Sequence, residues 1–225
     1  MAFTIEKYPI PKRFRHHISP NTYIALSELK KVPEFYPPLY ENIEWSEVYK
    51  NGLPPKYLDI GCGFGGFMFK FADLNPNDNI LGIEIRQQPY DYMLEVIEKE
   101  SLGNVHTIRY SVANKLPFIE NESIEKIFYF FPDPWYKKKH TKRRAFNLPF
   151  LEECFRVLKK GGELLLQTDV PEVHEYQVEM LKDYNKFEVT QLNKEDYWDY
   201  PSTNQEVFCI RKERPFDRVV CMKKI

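Results

Sequence analysis

Short apolar runs alternate with longer amphipathic stretches from Lys56 onward, and this alternation restricts the fold classes that the chain can adopt. The runs are KYLDIG, NILGIEI, VHTIRYS, IEKIFYFF and ELLLQTD, and helical spacing separates them, as in FGGFMFKFADL, PYDYMLEVIEKE and LPFLEECFRVLKK. Runs that are apolar almost throughout are typical of strands covered on both faces. We therefore predict an α/β fold with a mainly parallel open sheet, right-handed crossovers and helices on both faces. FEVTQL and RVVCMKK are predicted as two further strands that close one edge.

Residues 1–50 differ from the rest of the chain, because they are rich in proline and aromatic side chains and show weak periodicity. We predict that 1–50 form a basic, proline-rich N-terminal arm that covers part of a single domain over 51–225. A chain of 225 residues is long enough for one such domain to bury its own core.

Several classes of protein are disfavoured by composition. No apolar run reaches the length of a bilayer span, and the N-terminus lacks the apolar core of a secretory signal. The four cysteines are far apart and form no CxxC pair, which argues against a disulfide framework and a zinc site. We expect a cytoplasmic protein, or a nuclear one in a eukaryotic host, with no membrane partner and no metal.

The charge of the chain is unevenly distributed. A net charge of −1 argues against a nucleic-acid partner, but six of the eight residues from Lys137 to Arg144 are Lys or Arg, and Lys12 to His17 are also basic. A polyanion would therefore bind through a local patch.

Polar residues follow four of the five predicted parallel strands. Asp59 with Gly61 and Gly63 comes at the end of the first, Glu84 at the end of the second, Asp133 after the fourth, and Thr168 with Asp169 after the fifth. Ligands of open α/β sheets bind beyond the carboxyl ends of the strands. The sequence therefore predicts a site at this edge.

The loop LDIGCGFGGF indicates a nucleoside-containing cofactor. Gly61, Gly63 and Gly66 satisfy GxGxxG, and Glu84 lies at the distance expected for a carboxylate that binds a ribose diol. The alternative is that the glycines serve only the strand-to-helix turn. Asp59 would repel the pyrophosphate of NAD but attract a sulfonium or ammonium group, which favours S-adenosylmethionine.

The segment FPDPWYKKKHTKRR places Asp133 directly beside the densest positive charge of the chain. Asp133 could be part of a proline-flanked Asx turn, and the basic run could be the solvated start of a helix. The functional alternative is that the carboxylate and the basic side chains bind two different parts of one substrate.

In these segments the chain resembles the tRNA (guanine-N7)-methyltransferases, which modify the guanine of the tRNA variable loop. The resemblance rests on LDIGCGFGGF, GIEIR, FPDPWYKKKHTKRR, GGELLLQTD and TNQE, and it covers most of the chain. It implies a Rossmann-like S-adenosylmethionine-dependent methyltransferase fold, S-adenosylmethionine as cofactor and tRNA as substrate. It leaves room for an accessory protein subunit in a eukaryotic host.

The resemblance also implies roles for individual residues. Asp133 is the implied catalytic residue and also a cofactor contact. The other implied cofactor contacts are Asp59, Gly61, Gly63, Glu84, Ile85, Arg86, Ser111 and Val112. The implied substrate contacts are Lys137, Lys139, Lys142, Arg143, Arg144, Asp169, Thr203 and Glu206. Ser111 departs from the family pattern, which usually has Asp or Asn after the third strand.

The expected chemistry requires no general base, because N7 of guanine is an acceptor with a free lone pair and no proton. Carboxylates that accept hydrogen bonds from N1–H and N2–H₂ would select guanine over adenine. Two other functions stay open at this point: a methyltransferase for another RNA or a small molecule, and a non-catalytic RNA-binding subunit with the same fold.

Overall fold

A computed structural model describes residues 7–11, 19–135, 144–193 and 196–224. Its centre is a seven-stranded sheet with the strand order β3-β2-β1-β4-β5-β7-β6. The strands are β1 (Tyr57–Ile60), β2 (Ile80–Glu84), β3 (Val105–Arg109), β4 (Ile124–Phe130), β5 (Leu158–Thr168), β6 (Phe187–Leu192) and β7 (Asp217–Lys223). Strands β1 to β5 are parallel, which confirms the predicted mainly parallel sheet.

Helices follow β1, β2, β4 and β5 in the predicted alternation, whereas the element between β3 and β4 is a 3-10 turn, Val112–Asn114. The helices are α1 (Trp45–Val48), α2 (Gly66–Leu74), α3 (Gln87–Glu100), α4 (Leu148–Val157), α5 (Pro171–Tyr184) and α6 (Asn204–Arg211). Local signals fix some of their starts. The side chain of Asn147 caps α4 by accepting a hydrogen bond from the amide of Phe150, and a proline lies in the first turn.

The two tail strands lie at one edge of the sheet, as predicted, but in an order that follows burial rather than sequence. Strand β7 pairs antiparallel with both β5 and β6, so the last strand of the chain lies inside the sheet and β6 forms the edge. Val219 and Cys221 of β7 are buried, whereas most side chains of β6 are exposed or half-buried. The more apolar strand therefore occupies the inner position.

Two hydrophobic clusters cover the two faces of the sheet. Successive residues of β4 alternate between them: Ile127 and Tyr129 belong to the cluster that contains the apolar residues of α4 and α5. Phe128 and Phe130 belong to the cluster formed with α2 and α3. This alternation follows from the two-residue period of a strand and confirms that helices cover both faces. None of the helices in the described parts of the chain is long and apolar enough to cross a membrane.

Residues 24–36 of the N-terminal arm pack beside the carboxyl end of β3, whereas Tyr8 contacts α3 through Tyr92. The amide of Leu26 donates to Oδ1 of Asn114 at 2.7 Å, and the guanidinium of Arg109 donates to the carbonyl of Phe35 at 3.2 Å. A 3-10 turn at Pro20–Tyr23 precedes these contacts. The division of the chain at residue 50 stays a prediction.

Candidate active site

The carboxyl ends of β1, β2 and β4 border one cleft, together with residues that follow β3 and one residue of the arm. The predicted site residues that line it are Gly61, Glu84, Ile85, Arg86, Ser111, Val112 and Asp133. These residues are far apart in sequence, and the parallel sheet brings them together because its strands end at the same edge.

The loop after β1 borders the cleft at Gly61, whereas Gly63, two residues further on, is not among the lining residues. Gly61 and Gly63 have φ angles of +77° and +57°, in the left-handed region that side chains rarely adopt. A Cβ atom at Gly61 would have no protein atom within 4 Å, so this position leaves room for a ligand against the main chain.

The carboxylate of Glu84 holds this loop in place. Glu84 is 2% exposed, and its Oε2 accepts from the amide of Gly63 at 2.9 Å. Arg86 donates to the same carboxylate through its amide, Nε and Nη2 at 2.9, 3.0 and 3.0 Å. A carboxylate offers about four acceptor sites. A ribose hydroxyl can therefore bind Glu84 only by displacing one of these donors.

Asp59 directly precedes Ile60, which lines the cleft, but Asp59 is not itself among the lining residues, and its carboxylate is incompletely satisfied. It is 4% exposed, and its Oδ2 has no hydrogen-bond partner among the described residues. Burial, and to a lesser extent the charge of Glu84, raises the pKa of Asp59 to about 8. A buried acceptor without a partner is costly, so a cationic group or a donor bound here would relieve a cost that the free protein carries.

Asp133 and Trp135 form one wall of the cleft together with Tyr23 of the arm. The hydroxyl of Tyr23 donates to Oδ2 of Asp133 at 2.8 Å. The rings of Tyr23 and Trp135 meet edge to face with centroids 5.2 Å apart. The predicted catalytic carboxylate therefore accepts a hydrogen bond from the N-terminal arm.

The predicted substrate residues of the tail do not line the cleft. Thr203 caps α6 by accepting from the amide of Glu206 at 2.9 Å. Glu206 itself is 2% exposed and accepts from Nη2 of Arg218 at 2.6 Å and from Nε2 of Gln167 at 3.2 Å. The TNQE motif thus forms a helix cap and a buried ion pair in this structure.

The same region nevertheless lies next to the cofactor loop. A Cβ atom built at Gly66, the first residue of α2, would approach the side chain of Asn204 to 3.1 Å. Asp169 accepts from Nε2 of Gln205 at 2.8 Å, which connects the end of β5 to α6.

The basic run is only partly described. Lys137, Lys139, Lys142 and Arg143 lie outside the described residues. The guanidinium of Arg144 lies 4.6 Å from the ring centroid of Tyr176, and its Nε is buried without a hydrogen-bond partner among the described residues. Arg144 is therefore held against α5.

Several lining residues were not indicated by the sequence patterns. They are Tyr23, Tyr110, Ala113, Tyr129 and Ala145. Tyr110 directly follows β3, so the rule that ligands bind at strand ends could have found it. Tyr23 carries no such signal, because it lies in the arm.

S-adenosylmethionine fits the residues present at this cleft on two observations. The unpartnered oxygen of buried Asp59 suits a cationic ligand, and the open space at Gly61 admits one against the backbone. Within the described ranges, no group of three or more His, Cys, Asp or Glu residues is arranged to hold a metal ion.

Comparisons with known proteins identify the family of this chain. Residues 54–217 match a family described as "Putative methyltransferase". The chain is 34% identical over 161 residues to a tRNA (guanine-N(7)-)-methyltransferase of Anopheles gambiae, and the alignment covers 68% of each protein. It belongs to the tRNA (guanine-N7)-methyltransferase family. A second member, from Danio rerio, is 34% identical over 168 residues, which cover 68% of this chain and 70% of the relative.

A solved structure supports the fold of this family member. The S-adenosylmethionine-dependent O-methyltransferase of Thermotoga maritima superimposes with a TM-score of 0.53 at 14% identity, over 80% of this chain and 62% of that one. At this identity the likeness concerns the fold alone, and it confirms the expected Rossmann-like methyltransferase architecture.

Proposed function

We propose that this protein transfers a methyl group from S-adenosylmethionine to N7 of the variable-loop guanine in tRNA. The observation that carries the proposal is that Asp133, the carboxylate suited to a guanine edge, lines the same cleft as Gly61 and Glu84. Membership in the tRNA (guanine-N7)-methyltransferase family supports the substrate. For such a substrate we expect a cytoplasmic enzyme, or a nuclear one in a eukaryotic host, where an accessory subunit is also compatible with the proposal.

The cofactor-binding part of the proposal rests on three residues. Gly61 lets the main chain approach the ligand, and Asp59 provides a buried acceptor. Glu84 holds the loop and would accept from a ribose hydroxyl that displaces one of its present donors. Bound S-adenosylmethionine would supply an electrophilic methyl group on a sulfonium. Ile85, Arg86, Ser111 and Val112 line the remainder of the cofactor side of the cleft.

Recognition of the base is assigned to Asp133 and Trp135. A carboxylate is an acceptor only, so Asp133 can accept from N1–H and N2–H₂ of guanine but matches adenine poorly. N7 carries no proton, so Asp133 orients the base and stabilises the positive charge that develops on it without removing a proton. The ring of Trp135 borders the same space.

Binding of the tRNA backbone is assigned to the basic run. Lys137, Lys139, Lys142 and Arg143 would contact phosphates, and Arg144, which packs on Tyr176, would extend the same surface. Asp169, Thr203 and Glu206 act from beside the cleft in this proposal, because they anchor α6 against the cofactor loop.

The direct test is to incubate the purified protein with labelled S-adenosylmethionine and unmodified tRNA, and to identify the labelled nucleoside. We expect 7-methylguanosine, and no label in a transcript whose target guanine is replaced by adenine. Label in a different nucleoside, or none in RNA, would refute the proposal.

The role of Asp133 has its own test in single-turnover rates at saturating tRNA and cofactor. Loss of hydrogen bonds to a charged group should slow Asp133→Asn by roughly 10- to 100-fold. The wild-type rate should depend weakly on pH near neutrality. A rising limb that disappears in the variant would instead identify Asp133 as a general base.

A further inference from the structure

Tyr23 makes two contacts with the motif that contains the proposed catalytic residue. Its hydroxyl donates to Oδ2 of Asp133 at 2.8 Å, and its ring packs edge to face on Trp135 at 5.2 Å and 79°. Tyr23 itself lines the cleft. One side chain of the arm therefore contacts both functional side chains of the FPDPW segment.

The position of Tyr23 is fixed by contacts on its own segment. Thr22, in the same 3-10 turn, is 2% exposed and donates to the carbonyl of Ser19. The hydroxyl of Tyr36 donates to the carbonyl of Ile24 at 2.7 Å, one residue beyond Tyr23. These contacts do not involve Asp133, so the arm presents Tyr23 at the cleft independently of it.

Asp133, in contrast, makes few fixed contacts besides Tyr23 in the described part of the chain, and Arg86 acts on it through its charge. Asp133 lies on the surface between two prolines, and Tyr23 is its hydrogen-bond partner among the described residues. An exposed carboxylate without a partner samples several rotamers, and fixing it in advance reduces the entropy lost when a substrate binds. One oxygen, Oδ1, is left for a ligand, together with the remaining acceptor capacity of Oδ2.

Tyr23 stays a proton donor across the neutral range. Burial, followed by the charge of Asp133, raises the pKa of the Tyr23 hydroxyl above its ordinary value. The other charged groups that act on it are Glu84, which has the same effect, and Arg86, which opposes it. The hydroxyl therefore donates to the carboxylate and does not compete with it as an anion.

We propose that Tyr23 is a positioning residue that orients Asp133 and Trp135 toward the Watson–Crick edge of guanine. The arm then forms part of the base pocket and contributes to discrimination by the exocyclic amine of the base. This inference rests on the proposed function and assigns to the arm a role in base recognition in addition to covering the domain.

The test combines a protein variant with a substrate variant. Two tRNA transcripts carry either guanosine or inosine at the target position, and inosine differs by lacking the N2 amine that Asp133 would bind. Tyr23→Phe removes only the hydroxyl and keeps the ring on Trp135. We expect the single-turnover rate on guanosine to fall about tenfold, and the guanosine-to-inosine rate ratio to fall with it. The ratio of the two dissociation constants, measured with S-adenosylhomocysteine bound, should fall in the same direction.

The controls separate positioning from a general effect on structure. Tyr40→Phe removes another hydroxyl from the arm, one whose ring packs on Tyr110 and Phe118, and it should leave both ratios unchanged. In an Asp133→Asn background, Tyr23→Phe should cost less than twofold, because its effect passes through the carboxylate. Thermal melting confirms that each variant is folded.

Two outcomes overturn the inference, and they are distinguishable from failure of the proposed function. If Tyr23→Phe slows both transcripts equally, or changes neither, Tyr23 does not act through recognition of the base. If the wild-type protein does not methylate the guanosine transcript, the proposed function fails first and the inference fails with it.

Discussion

Replacing Asp59 with asparagine should remove a pH dependence that this carboxyl imposes on both stability and cofactor affinity. Burial and, second, the charge of Glu84 raise the pKa of Asp59 to about 8 in the folded protein, against about 3.9 in an unfolded chain. The folded state therefore holds this proton more tightly than the unfolded state. The free energy of unfolding should fall as the pH rises from about 4 to about 8, and this contribution should be constant above that range.

The size of the effect follows from the pKa difference. About four pKa units at 1.36 kcal/mol each give a loss of about 5–6 kcal/mol between the two ends of the range. Asp59→Asn should be about 1–2 kcal/mol more stable than the wild type at pH 5 and about 5–6 kcal/mol more stable at pH 9. Denaturant unfolding at both pH values measures the difference. His106→Gln gives a comparison of opposite sign, because burial lowers the pKa of this half-buried histidine of β3 and its removal should stabilise the protein at pH 5 and not at pH 9.

The proton on the Asp59 carboxyl should also affect the affinity for the cofactor. With a pKa of about 8, only about one tenth of the molecules carry an ionised Asp59 at pH 7, so affinity for a cationic ligand is about tenfold below its high-pH limit. Calorimetry in two buffers of different ionisation enthalpy should detect proton release on binding of S-adenosylmethionine. The amino group of the cofactor titrates in a similar range, so the wild type is compared with Asp59→Asn at each pH. Equal proton release and equal pH dependence in the two proteins would refute the reasoning.

Three other predictions concern the loop, the tail and the basic run. Gly61→Ala and Gly161→Ala introduce a side chain at nearly the same φ, +77° and +72°, with no protein atom within 4 Å of either Cβ. Both variants should lose about 1–2 kcal/mol of stability, but only Gly61→Ala should weaken S-adenosylmethionine binding in calorimetry. Equal affinities of the two variants would contradict the assigned cleft. Arg218→Ala leaves the buried carboxylate of Glu206 without its cation, and it should destabilise the protein by about 3–5 kcal/mol in denaturant unfolding; a change below about 1 kcal/mol would mean that solvent reaches Glu206. Replacing Lys139, Lys142, Arg143 and Arg144 with alanine should flatten the log–log salt dependence of tRNA binding by about one unit for each phosphate that is no longer neutralised. Lys160→Ala, near the start of β5 and away from the carboxyl ends of the strands, should leave the slope unchanged. An unchanged slope in the fourfold variant would identify the run as a solvated surface.

The sequence by itself determined the parallel core of the fold and the edge at which the cleft lies. Five apolar runs are strands β1 to β5, because a strand buried on both faces must be apolar along its length. Glycines and carboxylates at the strand ends point to the cleft for a similar reason, since strand ends of a parallel sheet converge. Gly61, Glu84 and Asp133 could therefore be selected before any contact between them was known.

Only the tertiary structure decided which distant residues complete the site and which side chains become its partners. Tyr23 reaches Asp133 across 110 positions of sequence, and Arg218 neutralises Glu206 through pairing of the tail with the sheet. The inner position of β7 likewise depends on comparing the burial of two tail strands. Local sequence patterns indicate whether a residue prefers burial or a turn, but they do not indicate which distant residue it will contact. Partners are chosen by packing, where the cost of leaving a buried polar group unpaired is set by the whole fold.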